Sequence, residues 1–145
     1  MVKPWVRFSY ADRRFTLKGK RLLQSFVVDL VKAERNIPCR LQYVFCSDEY
    51  LHGINVSFLE HDDYTDIITF DLSIDSNSLI EGEIYVSVDR VVANAEEFVV
   101  SFEEEILRVI FHGALHLCGF GDKSEVDRIQ MRAKENEYLL KFGVL

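Results

Sequence analysis

The chain has 145 residues, of which 48% are hydrophobic and 28% are charged, and its formal net charge is −7. This size and composition predict one globular domain over 1–145 and exclude a disordered chain. No stretch reaches the roughly 18 consecutive apolar residues of a membrane span. The first residues lack a signal peptide, and the three cysteines form no CxxC pair, so we expect a cytoplasmic protein with no membrane partner.

Apolar patterning in the first half of the chain changes between strand and helix periods. Two short N-terminal segments alternate apolar and polar residues, whereas six apolar residues between 22 and 31 recur at helical spacing. Ser47 and Asp48 are residue types that cap helices. The predicted elements are strands over 4–9 and 13–18, a helix over 19–35, a strand over 40–46, and a helix from Ser47 or Asp48 to about Leu59.

The second half of the chain contains the clearest helix start. Ser101 is followed three residues later by Glu104, which is a capping box. The predicted elements are strands over 65–72 and 80–88, a helix over 90–99 capped by Asp89, a helix from Ser101 through Leu117 stopped by Gly119 and Gly121, and a helix over 123–141 packed through Val126, Ile129, Ala133 and Leu140. Strands and helices without strict alternation predict an α+β fold, with a small mixed sheet of about four strands and helices packed on it.

The segment 112–122 carries the residue types of a metal site. His112 and His116 are four residues apart on a predicted central helix, so both imidazoles project from one face. Gly119 lets the chain reverse, which can bring the carboxylate of Asp122 back towards them. Two nitrogens and one carboxylate oxygen suit one Zn²⁺ ion and leave a position for water, whose pKa zinc can lower to near 7. The pattern therefore predicts a metal-dependent hydrolase.

Other interpretations of these residues stay open. A histidine pair at this spacing also arises by chance, and Asp122 could instead cap the last helix. The position of Cys118 turns it away from the histidine face, which favours a buried thiol over a metal ligand. Nickel or iron could also occupy the site. Gly113 stands where HExxH peptidases carry a general base, so peptidase chemistry is disfavoured, and this glycine instead allows close packing or leaves room for substrate.

The segment 112–120 resembles the signature of the bacterial endoribonuclease YbeY family of rRNA maturation factors. That signature is His-Gly-x-Leu-His-Leu-x-Gly followed by Tyr or Phe, then an Asp and a third His, and this chain matches it through Phe120. Residues 55–70 and 82–87 are similar to two further segments of the family, in the same order. The resemblance covers roughly residues 40–135, which is most of the chain.

The chain departs from the family pattern at two positions. Asp122 stands where most members carry a third histidine ligand, and Leu59 stands where they usually carry an arginine thought to take part in RNA cleavage. Aspartate is an acceptable zinc ligand, so the resemblance implies that the metal site is kept. Arg108, one turn before His112 on the same predicted helix, is a possible substitute for the missing cation.

The resemblance implies a zinc-dependent, single-strand-specific endoribonuclease. Its implied role is 16S rRNA 3′-end maturation and ribosome quality control, with ribosomal RNA and the small ribosomal subunit as partners. Leu59 favours an alternative, a zinc-stabilised ribosome-assembly or RNA-binding protein with little nuclease activity. Phosphodiester cleavage could proceed by attack of water or of the adjacent ribose hydroxyl, and no residue of the sequence stands out as a general base.

Positive charge is concentrated at the start of the chain. Residues 1–40 hold ten Lys or Arg and three Asp or Glu, whereas the remaining residues hold seven and twenty-one. This segment could line a groove for RNA phosphates or form a solvated face. The candidate RNA contacts are Lys18, Lys20, Arg21, Arg40 and Arg108, and the candidate stacking residues, for which core packing is the commoner role, are Tyr43, Phe58 and Phe120.

Two acidic groups have less specific interpretations. His61, Asp62, Asp63 and Asp66 could bind a second metal, contact the histidines or form a solvated loop, and Asp66 could cap a turn. The run 103–105 of three glutamates is expected to stabilise the start of its helix through the macrodipole.

Overall fold

A four-stranded sheet organises the computed structural model, which describes residues 2–60 and 64–145. Its strands are β1 (Trp5–Tyr10), β2 (Cys39–Cys46), β3 (Ile67–Asp71) and β4 (Ile80–Ser87). They lie in the order β1-β2-β4-β3. The first three in this order are parallel, and β3 pairs antiparallel with β4 at one edge. The sheet is therefore mixed, as predicted.

Helices in the described residues pack on both faces of this sheet. They are α1 (Lys20–Arg35), α2 (Asp48–Leu59), α3 (Val88–Phe98), α4 (Phe102–Leu117) and α5 (Glu125–Phe142). Four begin with a serine whose side chain accepts a hydrogen bond from the N–H three residues on, namely Ser47, Ser87, Ser101 and Ser124. The predicted α+β class is confirmed. Within residues 2–60 and 64–145, none of the helices has the length and apolar composition of a membrane span.

Side chains alternate across the sheet, so each face packs against different helices. Tyr43 of β2 belongs to the main core, which includes buried residues of α1 and α4. On the opposite face, Ile68 of β3 packs with Leu51 of α2. Ile67 and Thr69 alternate with Ile68 and therefore lie on the α4 side of β3. The edge strand thus forms a wall beside the C-terminal half of α4.

The prediction of a strand over 13–18 is wrong. These residues form no strand, although Phe15 and Leu17 are partly buried and pack against the main core. The ring of Phe15 meets that of Phe102 edge-on, with centroids 5.4 Å apart. The apolar alternation therefore reflects two side chains that anchor a connecting segment to the core.

The predicted cap of α3 is also wrong, by two residues. Ser87 is the cap, because its Oγ accepts a hydrogen bond from the N–H of Arg90 at 3.1 Å. Asp89 lies in the first turn and pairs instead with Arg13, whose Nε is 3.1 Å from Oδ1. Serine and aspartate both cap helices, so residue type alone does not favour Ser87 over the predicted Asp89.

The packed face of α5 differs from the predicted one. Val126 and Ile129 are 74% and 65% exposed, and Ala133 and Leu140 are also exposed. The prediction failed because the packed face includes a charged residue, whose burial is possible only where partners neutralise it. The buried residues of α5 are Met131, Glu135, Tyr138 and Leu139.

Gly113 lets α4 lie close to the sheet. A Cβ at this position would be 2.8 Å from Cγ2 of Ile84 and 3.1 Å from Cδ1 of Ile67. Both are branched side chains next to the core, so neither can move away freely. This geometry agrees with the interpretation of Gly113 as a close-packing residue, and it holds His112 and His116 beside β3.

We expect Gly113→Ala to lower the free energy of unfolding by about 1–3 kcal/mol, because the added methyl group overpacks this contact. Gly53→Ala is the matched control, since Gly53 lies inside α2 and nothing lies within 4 Å of a Cβ there. The control should raise the free energy of unfolding by about 0.5–1 kcal/mol. Urea unfolding measures both changes. Equal effects of the two substitutions would contradict the close approach at Gly113.

Candidate metal centre and adjoining cleft

His112 and His116 lie one turn apart on α4, as their spacing predicts. His112 is partly buried, and His116 is exposed. Together with Asp122 they line a pocket of about 120 Å³, and Ile67 and Thr69 of β3 complete its lining. We call this the histidine pocket. The three predicted ligands therefore come together at one place in the fold.

The turn after α4 places Asp122 against His112. Gly119 has a φ of 111°, a value that L side chains rarely adopt and glycine tolerates. Oδ2 of Asp122 lies 3.4 Å from Nε2 of His112. Two donors bound to one tetrahedral zinc ion at about 2.0–2.1 Å each lie about 3.3–3.4 Å apart. The spacing of this pair therefore fits adjacent ligands of a single ion.

Glu135 of α5 holds the other side of the His112 ring. Its Oε2 lies 2.7 Å from Nδ1 of His112, and its Oε1 accepts a hydrogen bond from Nη1 of Arg108 at 3.2 Å. A neutral imidazole carries one ring proton, and the carboxylate of Glu135 favours this proton on Nδ1. Nε2 then keeps its lone pair on the side of the ring that faces Asp122. Carboxylates in this position orient histidine ligands of metals and raise their basicity.

The donor set fits zinc, although the described residues do not form a closed metal site. Within 2–60 and 64–145, no group of three or more His, Cys, Asp or Glu side chains is gathered tightly enough to hold an ion. His116 lines the pocket with the other two residues, and exposed side chains change rotamer within nanoseconds. The ligand assignment stays a prediction.

The carboxylates around His112 favour positive charge at this position. Burial lowers the pKa of His112, but the hydrogen bond and charge of Glu135, with the charges of Asp66 and Asp122, outweigh it and raise the pKa overall. Burial is the main cause that raises the pKa of Asp66, and the charge of His112 opposes it. Surroundings that attract a proton to the imidazole also attract a divalent cation, which competes for the same lone pair.

A larger cleft of about 310 Å³ adjoins the histidine pocket, and His112 and Asp122 line both. We call it the acidic cleft, because four of its residues carry carboxylates. Two arginines, Arg108 and Arg132, partly balance this charge. The carboxylates belong to Asp66, Glu105, Asp122 and Glu135, and the other lining residues are Thr65, Ile67, Asn94, Phe98 and Val109.

The predicted RNA contacts lie in several parts of the fold. Arg108 lines the acidic cleft but is 6% exposed and paired with a carboxylate. Lys18 lines a separate pocket beside the N-terminal half of α4. Lys20 and Arg21 begin α1, and Arg40 lies on β2. Neither the histidine pocket nor the acidic cleft is lined by these last four residues, so their contact with RNA stays a prediction.

The three candidate stacking residues differ in exposure. Tyr43 is fully buried, and its hydroxyl donates to a backbone carbonyl of α4 at 2.7 Å, so it belongs to the core. Phe58 is 73% exposed. Phe120 is partly buried, with Nζ of Lys134 5.6 Å from its ring centroid. Cys118 is buried, and burial raises the pKa of its thiol to about 12, so the thiol is neutral near pH 7.

Only Asp66 of the predicted polar cluster His61, Asp62, Asp63 and Asp66 lies within the described residues. His61, Asp62 and Asp63 lie outside the described residues. Asp66 lines the acidic cleft and accepts a hydrogen bond from an asparagine of α3 at 3.4 Å.

Leu59 is the last residue of α2, is 40% exposed, and lines neither the histidine pocket nor the acidic cleft.

Glu135 is not among the site residues predicted from sequence, and Glu105 lies in a different environment from the predicted one. Glu135 lies four residues after Met131 and four before Leu139, on the same face of the helix. An acid within this apolar stripe was the sequence signal that could have indicated a buried, functional carboxylate. Glu105 was grouped with its two neighbours as a helix-start charge, but it is 5% exposed and faces the acidic cleft. Burial is the main cause that raises its pKa.

A small α+β fold with two histidines on a central helix and an oriented imidazole beside a polar cleft is typical of metal-dependent hydrolases.

Comparison with known proteins identifies the family. The profile described as Endoribonuclease YbeY matches residues 10–143. Endoribonuclease YbeY of Flavobacterium johnsoniae is 44% identical over 139 residues, which cover 96% of this chain and 98% of that protein. Endoribonuclease YbeY of Christiangramia forsetii is 39% identical over 144 residues, which cover 99% of each. The chain therefore belongs to the endoribonuclease YbeY family, which confirms the resemblance and the predicted endoribonuclease activity, whereas the metal dependence stays a prediction.

A solved structure has the same fold. The solution structure of TM1509 from Thermotoga maritima superposes with a TM-score of 0.60, and the match covers 94% of this chain and 91% of that one. The two sequences are 27% identical. The arrangement of sheet and helices is therefore shared beyond this chain.

Proposed function

We propose that this chain is a zinc-dependent endoribonuclease that cuts single-stranded RNA at the histidine pocket. His112, His116 and Asp122 are the proposed ligands of one zinc ion and act in catalysis through it. The observation that carries the proposal is the position of His112, with Glu135 2.7 Å from one ring nitrogen and Asp122 3.4 Å from the other. Membership of the endoribonuclease YbeY family supports RNA as the substrate.

The residues of the pocket have separate roles in this reaction. Bound zinc would supply a Lewis acid that polarises the phosphodiester and stabilises developing negative charge. Glu135 keeps the proton of His112 on Nδ1, so that Nε2 remains available as a ligand. Arg108 fixes Glu135 from the buried side. Arg132, whose side chain is 57% exposed, lines the cleft where it can pair with an RNA phosphate.

The dimensions of the site support a preference for single strands. The acidic cleft, at about 310 Å³, is too small for a duplex and large enough for a single unstacked ring system. Bases of single-stranded RNA can be splayed out into such a cleft, whereas paired bases must first be opened at a cost of a few kcal/mol.

The biological setting belongs to the same proposal. We place the activity in rRNA processing, at the 3′ end of 16S rRNA, and in ribosome quality control, with the small ribosomal subunit as partner. The cysteines of the chain are free and buried, which fits the reducing cytoplasm.

A second candidate is a zinc-stabilised ribosome-assembly or RNA-binding protein with little nuclease activity. Leu59 favours it, because the resemblance puts a cleavage-linked arginine at this position. Arg108 does not supply the missing cation in the described structure, since it is buried against Glu135. Arg132 is the remaining cation of the acidic cleft.

Metal analysis and RNA cleavage by the purified protein test both candidates. We expect about one bound zinc ion per chain and cleavage of a single-stranded rRNA fragment at least about tenfold faster than cleavage of the same sequence in a duplex. Removing zinc with a chelator should abolish cleavage, and returning zinc should restore it. Leu59→Arg should raise the cleavage rate without changing bound zinc, because it restores the arginine that the resemblance links to cleavage at this position.

The outcomes separate the candidates. Zinc and RNA binding without cleavage, in both the parent and Leu59→Arg proteins, would support the assembly function. Cleavage that persists after complete removal of metal would contradict the proposed centre. Equal cleavage of single and double strands would contradict the proposed substrate.

A further inference from the structure

Glu105 is a buried carboxylate that the proposed metal centre does not use. It is 5% exposed and lines the acidic cleft from α4. The charge of Arg108 attracts it and that of Asp66 repels it, but no residue within 2–60 or 64–145 donates a hydrogen bond to its carboxylate. Among the described residues, neither carboxylate oxygen of Glu105 is a fully buried unpaired atom, so these oxygens are accessible from the cleft, where a ligand can supply the missing donors.

The cleft in front of Glu105 suits one flat ring system. Its volume of about 310 Å³ is at the lower end of ligand pockets, which span about 300–1,000 Å³. Ile67 and Val109 give it apolar walls, and Phe98, which is 52% exposed, provides an aromatic ring at its edge. Exposed aromatic rings beside a cleft are the usual stacking surface for unpaired bases.

The chemistry of Glu105 selects among the bases. A carboxylate accepts hydrogen bonds and can take two parallel N–H groups at once. The Watson–Crick edge of guanine presents two adjacent donors, N1–H and the N2 amino group. Adenine and cytosine present one amino group beside an acceptor, and uracil presents one N–H between two acceptors, which a carboxylate repels. Guanine is therefore the base that matches this acceptor best.

A second metal ion is a weaker explanation for Glu105. Among the described residues, Glu105 belongs to no group of three potential metal ligands. Arg108 also lines the cleft, and its charge would repel a cation.

We propose that the acidic cleft is a nucleobase subsite that takes a guanine of the RNA substrate, with Glu105 as the acceptor for its Watson–Crick edge and Phe98 as its stacking partner. The proposal rests on the proposed function, because the subsite adjoins the pocket where the RNA phosphate is cut. It adds a sequence preference to that function.

Equilibrium binding of short RNAs tests the subsite without relying on cleavage. The probes are 2′-O-methyl hexauridines with one central guanosine, inosine or adenosine, and product analysis confirms that they stay intact. The parent protein should bind the guanosine probe about tenfold more tightly than hexauridine, and inosine, which lacks the amino group, should lose a large part of that gain. Fluorescence anisotropy measures each dissociation constant.

Two variants locate the preference. Glu105→Gln replaces an acceptor by a group that also donates, and it should bring guanosine and uridine probes to within about twofold of each other. Phe98→Ala should weaken all probes that carry a purine by about tenfold, because the stacking partner is lost. Glu103→Gln is the matched control, since Glu103 is an exposed glutamate of the same helix turn and should keep the guanosine preference.

The outcomes distinguish this proposal from the proposed function. A parent protein that binds all probes equally, or a Glu105→Gln protein that keeps the preference, would overturn the subsite. If the parent protein nevertheless cleaves RNA, the proposed nuclease function holds without a guanine subsite. A guanosine preference in a protein that cleaves no RNA would support the subsite and contradict the proposed nuclease function. If Glu105→Gln does not fold, the comparison of the inosine and guanosine probes with the parent protein still tests the proposal. Equal binding of these two probes would overturn it.

Discussion

Alanine in place of His116 should remove the bound zinc and slow RNA cleavage by more than about a hundredfold. Losing a residue that merely orients a metal ligand costs about 10–100-fold in affinity or activity, and losing the ligand itself costs more. His116 supplies one of the three protein donors in the proposed site, so two donors would remain. Two protein donors are one short of a catalytic zinc site.

His116 gives a cleaner test than His112 because little of the fold depends on it. Its side chain is exposed in the last turn of α4, and alanine is a strong helix former. The free energy of unfolding of the metal-free protein should therefore change by less than about 0.5 kcal/mol. His112 is joined to Glu135 inside the fold, so its substitution would mix loss of structure with loss of metal.

A second histidine provides the control. His52 lies on α2, where its ring stacks on Tyr64 with centroids 4.1 Å apart, and it lines neither the histidine pocket nor the acidic cleft. His52→Ala should keep both zinc and cleavage. Zinc content that is the same in the parent, His52→Ala and His116→Ala proteins would show that His116 is not a ligand.

Local signals explain what the sequence predicted correctly. The start of α4 depends on Ser101 and the N–H of Glu104, and the turn that returns Asp122 depends on the backbone freedom of Gly119. The spacing of His112 and His116 needs only the period of a helix. Each of these features is determined by residues a few positions apart, so a single sequence contains all the information required.

Contacts between distant parts of the chain explain what the sequence did not predict. Glu135 is buried because of Arg108 and His112, which lie 27 and 23 residues away. The prediction assumed that every charged residue of α5 is exposed. It therefore assigned the wrong face of the helix to the core, the face that carries Val126 and Ile129. The burial of an acid depends on which cation the fold brings to it, and no local spacing contains that information.

The same limit applies to Arg108. Its position on α4 was predicted from spacing, and spacing alone suggested a cation available to RNA. In the fold, the guanidinium of Arg108 pairs with Glu135, and the residue is 6% exposed. Whether a charged residue serves a ligand or its own protein depends on the nearest opposite charge, which is a property of the packed helices.

Replacing Glu135 by alanine should lower the free energy of unfolding of the metal-free protein by about 3–5 kcal/mol, since it breaks a buried ion pair. Oε1 of Glu135 lies 3.2 Å from Nη1 of Arg108, and both side chains are less than a tenth exposed. Removing the acid leaves the guanidinium buried without its partner. Urea unfolding in the presence of a chelator measures the loss without a contribution from metal binding.

Glu137→Ala is the matched control on the same helix. Glu137 is two residues further on, its side chain is 40% exposed, and it pairs with Lys134 and Lys141 at 3.6 and 3.0 Å. Exposed pairs of this kind contribute about 0–1 kcal/mol each, so the control should be nearly neutral. A similar loss of stability in both variants would show that the burial of Glu135 is not what stabilises the fold.

A double variant separates the structural role of Glu135 from its role at the metal. Arg108→Met with Glu135→Leu removes both charges and fills the space with apolar groups, so stability should return to within about 1–2 kcal/mol of the parent. Zinc affinity should nevertheless stay about 10–100-fold low, because nothing then orients the His112 ring through Nδ1. A double variant that recovers both stability and zinc affinity would contradict the orienting role, because it would show that His112 binds metal equally well without a carboxylate behind it.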